Sequence, residues 1–83
     1  MTPEQLLIIA REFCAHHRGV RIINFAALCA AAAASTARIE GISVHGDTAQ
    51  AAECLESTLL NLAPLSSANA EFARVCSLVM QMR

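Results

Sequence analysis

Tryptophan, tyrosine and lysine are absent from this chain, and phenylalanine occurs three times. A core short of aromatics must be filled by aliphatic side chains, each burying less surface. Charge is scarce as well, at 16% of residues, with six arginines against seven acidic residues and a formal net charge of −1. The arginines are scattered, so the basic patch that nucleic-acid binding requires is not expected. Only three glycines and two prolines interrupt the chain. Together with 55% hydrophobic residues, this excludes a disordered, collagen-like or linker sequence. The longest apolar run, Phe25 to Ala34, is too short to span a bilayer. The opening Met1-Thr2-Pro3-Glu4-Gln5 lacks the positive segment of a signal peptide, so a cytoplasmic location is expected.

Alanine is the commonest residue, and it combines the best helix propensity with close helix approach, so an all-α fold is expected. The 83 residues hold one small domain. A core of that size buries only about 60–65% of the unfolded surface, so stability is marginal or shared with a partner.

Thr2, Pro3 and Gln5 form a helix start with a capping box, followed by a stripe of Leu6, Leu7, Ile9, Ala10, Phe13 and Cys14 and a stop at Gly19. After the apolar connection Val20 to Ile23, Asn24 caps an alanine-rich helix from Phe25 to about Arg38. Ile39 to Gly46 changes character: two glycines and the alternating Ile42 and Val44 predict a hairpin-like flap. Asp47 caps a third helix, Thr48 to about Leu62, with Ala51, Cys54, Leu55, Thr58, Leu59 and Leu62 as its apolar face. Ala63-Pro64-Leu65-Ser66-Ser67 breaks the pattern, and Ser66 or Ser67 caps the last helix. In that helix Phe72, Val75, Cys76, Leu78, Val79 and Met82 cover more than one face, which predicts a central helix. Its uncovered side, Phe72, Val75, Leu78, Val79 and Met82, is the expected oligomer face.

The cysteines, Cys14, Cys29, Cys54 and Cys76, contain no C-x-x-C pair and sit among Ala, Leu and Val, which reads as free thiols serving as small hydrophobes. Cys14, His16 and His17 hint at a metal cluster, but only Cys14 and His17 approach one-turn spacing, and a closed zinc site needs four converging ligands. The histidines read instead as helix C-terminal residues meeting the dipole, and neither a metal nor another cofactor is expected.

Asn24-Phe25-Ala26-Ala27-Leu28 followed by Ile39, Val44-His45-Gly46-Asp47 and Asn69-Ala70-Glu71-Phe72-Ala73, in the order helix, alanine-rich helix, flap, helix, Pro-containing loop and buried helix, resemble the Fic/Doc family. The likeness is to its short toxin components of toxin–antitoxin systems and runs from about Ile22 to Met80. It implies a helical core truncated after the motif helix.

The loop motif of active Fic/Doc enzymes, His-Pro-Phe-x-Asp/Glu-Gly-Asn-Lys/Gly-Arg, falls on Ala63-Pro64-Leu65-Ser66-Ser67-Ala68-Asn69-Ala70-Glu71. The resemblance implies a His as general base, an acidic residue holding Mg²⁺, a Gly-Asn backbone cradling phosphates and an Arg neutralising them. Here Pro64 and Asn69 persist and Leu65 keeps the apolar anchor, while the base becomes Ala63, the metal ligand Ser67, the Lys/Gly position Ala70 and the Arg Glu71. Losing a general base typically costs about 10²–10⁴-fold in rate, and Glu71 repels phosphate, so an adenylyl- or phosphotransferase of the family kind is not expected. Thr36-Ala37-Arg38-Ile39-Glu40-Gly41 fits the family's inhibitory Ser/Thr-x-x-x-Glu-Gly pattern, but the Arg that Glu40 would restrain is Glu71, so Glu40-Gly41 reads as a helix end and turn.

Three functions remain. A degenerate toxin component would act by protein binding, its flap (Ile39, Glu40, Gly41, Ile42, Ser43, Val44, His45 and Gly46) pairing with a target strand or with a small antitoxin-like protein. A homo-oligomeric helical regulator would have no toxin role. A residual nucleotide-dependent transferase would use His45 and Asp47; an anion held by Ser66, Ser67 and the N–H groups of Ala68 and Asn69 would be a fossil of the phosphate cradle and not a sign of turnover. Asp47 is needed as a cap, however, and His45 sits on the flap. The first of these, without catalysis, nucleic acid or membrane, is the expected function.

Overall fold

A computed structural model of the chain describes residues 1–35 and 48–82, together with the backbone of 38–39 and 42–43. Among the described residues, four helices form in the expected order: α1 (Pro3–His16), α2 (Phe25–Ser35), α3 (Thr48–Leu62) and α4 (Asn69–Gln81). Between α2 and α3, β1 (Arg38–Ile39) and β2 (Ile42–Ser43) pair antiparallel, Arg38 opposite Ser43 and Ile39 opposite Ile42. The fold is therefore all-α with a short hairpin at the expected place. Glu40, Gly41, Val44, His45, Gly46 and the proposed cap Asp47 lie outside the described residues.

The start of α1 is fixed by its cap. Thr2 Oγ1 accepts from the N–H of Gln5 at 3.2 Å and Gln5 Oε1 accepts from the N–H of Thr2 at 2.9 Å. At the other end, Nδ1 of His16 and of His17 each donate to the carbonyl one turn back, Glu12 and Phe13, both at 2.8 Å. The His17 ring stacks on Phe13 with centroids 3.8 Å apart. Both histidines thus serve to close the helix end. Gly19, at φ 84°, makes the turn that follows.

Asn24 caps α2 as expected, its Oδ1 accepting from the N–H of Ala27 at 3.1 Å. The helix ends at Ser35 rather than near Arg38, because the Arg38 backbone is engaged across the hairpin with Ser43.

Among the described residues, α1 and α3 each pack against both α2 and α4, whereas α1 does not meet α3 and α2 does not meet α4, so the helices close a ring around one core. Leu6, Ala10 and Phe13 of α1, Leu28, Ala31 and Ala32 of α2, Leu55 and Leu59 of α3, Leu65, and Phe72, Ala73 and Cys76 of α4 fill it. The small side chains of α2 let its neighbours come close. Phe13 and Phe72 meet edge to face at 5.5 Å between centroids, a geometry the ring quadrupoles favour.

Several expectations need correction. The last helix is not central: α4 buries Phe72, Ala73, Cys76 and Ser77 on one side only, leaving Val75, Leu78 and Met82 exposed. Its remaining apolar residues extend the stripe outward without a second buried side. Phe72 is wholly buried, so it belongs to the core and not to an oligomer face. Leu62, at the last turn of α3, is exposed, and Ala52 takes the buried place beside Leu55. Among the cysteines, Cys76 is buried, Cys14 and Cys54 are half-buried, and Cys29 is exposed on the outer side of α2. All four are free thiols.

Burial raises the Cys14 thiol and pushes the Cys76 thiol up to about 12, from an ordinary 9.0. A thiol held neutral in the fold and free to ionise when unfolded stabilises the fold fully below pH 9. That stability declines as pH rises through 9 toward 12. Wild type is therefore expected to lose up to about 1.4 kcal/mol per pH unit in this window beyond what a Cys76→Ala variant loses. Urea titrations of both proteins at pH 8 and pH 10 measure the difference; parallel losses would refute it.

Candidate functional site

The loop from Ala63 to Asn69 turns the chain sharply between α3 and α4, and two alanines make the turn. Ala63 has φ 48° and Ala68 has φ 58°, both in the left-handed region that a Cβ disfavours. Between them Pro64 and Leu65 are fully buried. Asn69, the first residue of α4, reaches back across the turn: its Oδ1 accepts from the N–H of Leu65 and its Nδ2 donates to the Leu65 carbonyl, both at 3.0 Å. One side chain thereby satisfies both polar groups of a buried residue's backbone.

A second restraint comes from the connection between α1 and α2. Ile22 bridges to Leu65 in antiparallel sense. The Pro64 carbonyl accepts from the N–H groups of Ile23 at 2.8 Å and Asn24 at 3.1 Å, and Ser66 N–H donates to the Arg21 carbonyl at 2.8 Å. Ser66 Oγ accepts from the N–H of Arg21 at 3.0 Å. The loop is therefore laced to an extended segment more than 40 residues away in sequence. The apolar letters of Val20 to Ile23 give no sign of this pairing.

These bonds overturn the expected cap of α4. Ser66 is engaged with Arg21, Ser67 is exposed, and the N-cap is Ala68, with no side-chain cap bond. Ala70 and Glu71 are exposed on the first turn of α4. Of the loop's side chains, Ala63, Pro64, Leu65, Ala68 and Ala70 carry no polar atom. The hydroxyls of Ser66 and Ser67, the Asn69 amide and the Glu71 carboxylate make up its whole chemistry. No residue there can take a proton from a hydroxyl nucleophile near neutral pH by the usual imidazole route. Among the described residues, no group of three His, Cys, Asp or Glu is placed to hold a metal ion. The flap residues Ile39, Ile42 and Ser43 lie in the hairpin, and the rest of the flap lies outside the described residues.

Relief of the backbone strain is directly measurable. Ala68→Gly is expected to raise stability by about 0.5–1 kcal/mol, the left-handed penalty of roughly 1–2 kcal/mol less the added freedom of the unfolded glycine. A thermal melt displaced upward by a few degrees checks it.

Two apolar grooves run along α1, and neither is lined by the loop. One, of about 210 Å³, lies between Met1, Gln5, Ile8 and Ile9 of the N-terminal segment and Val79 of α4. The other, of about 160 Å³, lies between Pro3, Glu4 and Leu7 and Phe25, Leu28 and Cys29 of α2. Ile8 is 63% exposed, Phe25 57% and Met82 83%. Sequence reasoning missed these surfaces, although Ile8 stood between Leu7 and Ile9 off the buried stripe and so carried the signal.

Comparison with protein-family models, curated proteins and solved structures returns no match. Among the described residues, no helix is long and apolar enough to cross a membrane.

Proposed function

We propose that this chain is a Fic/Doc-like helical domain without catalysis, working through protein–protein binding as the toxin component of a toxin–antitoxin or related mobile-element module. The observation carrying this reading is the backbone at Ala68. It stands where the family motif has its Gly, and its φ of 58° is one that glycine adopts freely and alanine resists. A loop that keeps such a turn without the residue suited to it is most simply a relic of a motif that had glycine there. Pro64, Leu65 and Asn69, the other retained positions, are the ones that bury or stitch the loop. Three of the altered positions, Ala63, Ser67 and Glu71, are ones whose side chains would have done chemistry.

Binding then falls to the rest of the surface. The β1–β2 hairpin offers a strand edge for pairing with a protein segment. The apolar grooves along α1 offer side-chain anchors for a small antitoxin-like partner. A cytoplasmic location accompanies this reading.

Inducible expression in a bacterial host, alone and together with any small open reading frame found beside its gene, tests the role. Growth arrest relieved by co-expression is expected, and unaffected growth overturns the toxin assignment. Incubation with labelled ATP and Mg²⁺ tests the chemistry: no label should reach protein, and transfer of label overturns the non-catalytic reading.

A further inference from the structure

The outer face of α1 is complementary to itself. At about 100° per residue, with Ile8 taken as the outermost point, Glu4 and Arg11 both fall roughly 40–60° to one side, one turn before and one turn after it. Gln5 and Glu12 fall roughly 40–60° to the other side, again one turn before and one turn after. A two-fold axis perpendicular to the helix at Ile8 sends each residue to the opposite height on the same side. Glu4 then meets Arg11 of a second copy, Gln5 meets Glu12, and Ile8 meets Ile8.

We infer that α1 is a self-association surface, on which a second copy of this chain docks antiparallel, centred on Ile8. Glu4, Ile8, Arg11 and Glu12 are all exposed and so accessible for this contact. Gln5 Oε1 is held by the N–H of Thr2, which leaves its amide Nε2 to donate to the facing Glu12 carboxylate. The groove between Met1, Gln5, Ile8, Ile9 and Val79 opens beside the axis and receives the partner's apolar side chains. Val75 and Met82, one turn to either side of Val79 on α4, extend the apolar area and are exposed. An apolar centre flanked by paired opposite charges is the layout of a specific interface, and each pair occurs twice by symmetry. Parallel packing in register would instead set Glu4 beside Gln5 and Arg11 beside Glu12, so only the antiparallel arrangement makes Glu4 and Arg11 partners. This docking needs neither a toxin role nor Fic/Doc ancestry. It moves the expected self-contact from α4 alone to α1 with the edge of α4.

Sedimentation equilibrium on the full chain tests it, with circular dichroism to check that each variant stays helical. Wild type is expected to dimerise and Ile8→Glu to be monomeric. Glu4→Arg and Arg11→Glu should each weaken the dimer by about tenfold or more, because each sets like charges together twice. An equimolar mixture of these two variants should regain wild-type affinity as a heterodimer, since Arg at 4 then faces Glu at 11. The double variant Glu4→Arg/Arg11→Glu should dimerise with itself. A chain that stays monomeric at its highest soluble concentration, a dimer indifferent to Ile8→Glu, or a mixture no tighter than its components would each overturn the inference.

Discussion

Replacing Phe72 by alanine is expected to remove about 3–5 kcal/mol of stability, the range for truncating a buried phenylalanine. Phe72 is fully buried at the α4 face of the core and meets Phe13 edge to face, so the cavity opens where α1 and α4 join. With no Trp or Tyr and only three Phe in the chain, few large side chains are at hand to fill it. A domain of this length holds roughly 4–12 kcal/mol in total, so one substitution reaches a large part of the whole. The expected result is a broad, low or absent thermal transition by circular dichroism, with much α-helical signal lost at 37 °C. Phe72→Leu, which keeps most of the apolar volume, should retain a cooperative melt. A loss below about 1 kcal/mol for Phe72→Ala would mean that the core collapses around the gap, contrary to the close packing described above.

The helices were legible because local signals set them. The Thr2–Gln5 box, the Asn24 cap and the spacing of Ala51, Leu55 and Leu59 in α3 are short-range facts, and all appear where the sequence placed them. What was hidden depends on partners far along the chain. The serines at 66 and 67 have the composition of a helix cap, yet Ser66 bonds to Arg21, a residue 45 positions earlier. No reading of the loop alone could find that competitor. Alanine was a second blind spot: Ala63 and Ala68 take left-handed backbone that composition assigns to Gly or Asn. In α4 the count of apolar residues misled, because a stripe continued by Val75, Leu78 and Met82 looks the same in sequence whether its outer edge is buried or bare. The motif-like positions of the loop were visible as letters, whereas the stitching by Asn69 emerged only from the fold.

That stitching yields the second large effect. Asn69→Ala should cost about 2–4 kcal/mol, because it leaves both the N–H and the carbonyl of Leu65 without partners in a buried setting, at roughly 1–3 kcal/mol for each. The damage should be local before it is global. Leu65 anchors the bridge to Ile22, so freeing its backbone loosens the bonds of Ile23 and Asn24 to Pro64 and of Ser66 to Arg21. Amide exchange at Ile23, Asn24 and Ser66 is therefore expected to accelerate more than exchange in the middle of α3, which an undifferentiated loss of stability would not produce. Asn69→Asp separates the two halves of the clasp. It keeps an acceptor for the Leu65 N–H but sets a second carboxylate oxygen against the Leu65 carbonyl. Protonation converts that repulsion into an O–H donor, so the aspartate pKa should lie above its usual value in the fold. Stability that comes from a raised acid pKa is present at low pH and lost as pH rises through the folded value. Asn69→Asp should accordingly narrow its deficit to wild type as pH falls from 7 toward 4, while Asn69→Ala shows no such recovery. A parallel pH response of the two variants would show that the donor half of the clasp contributes nothing.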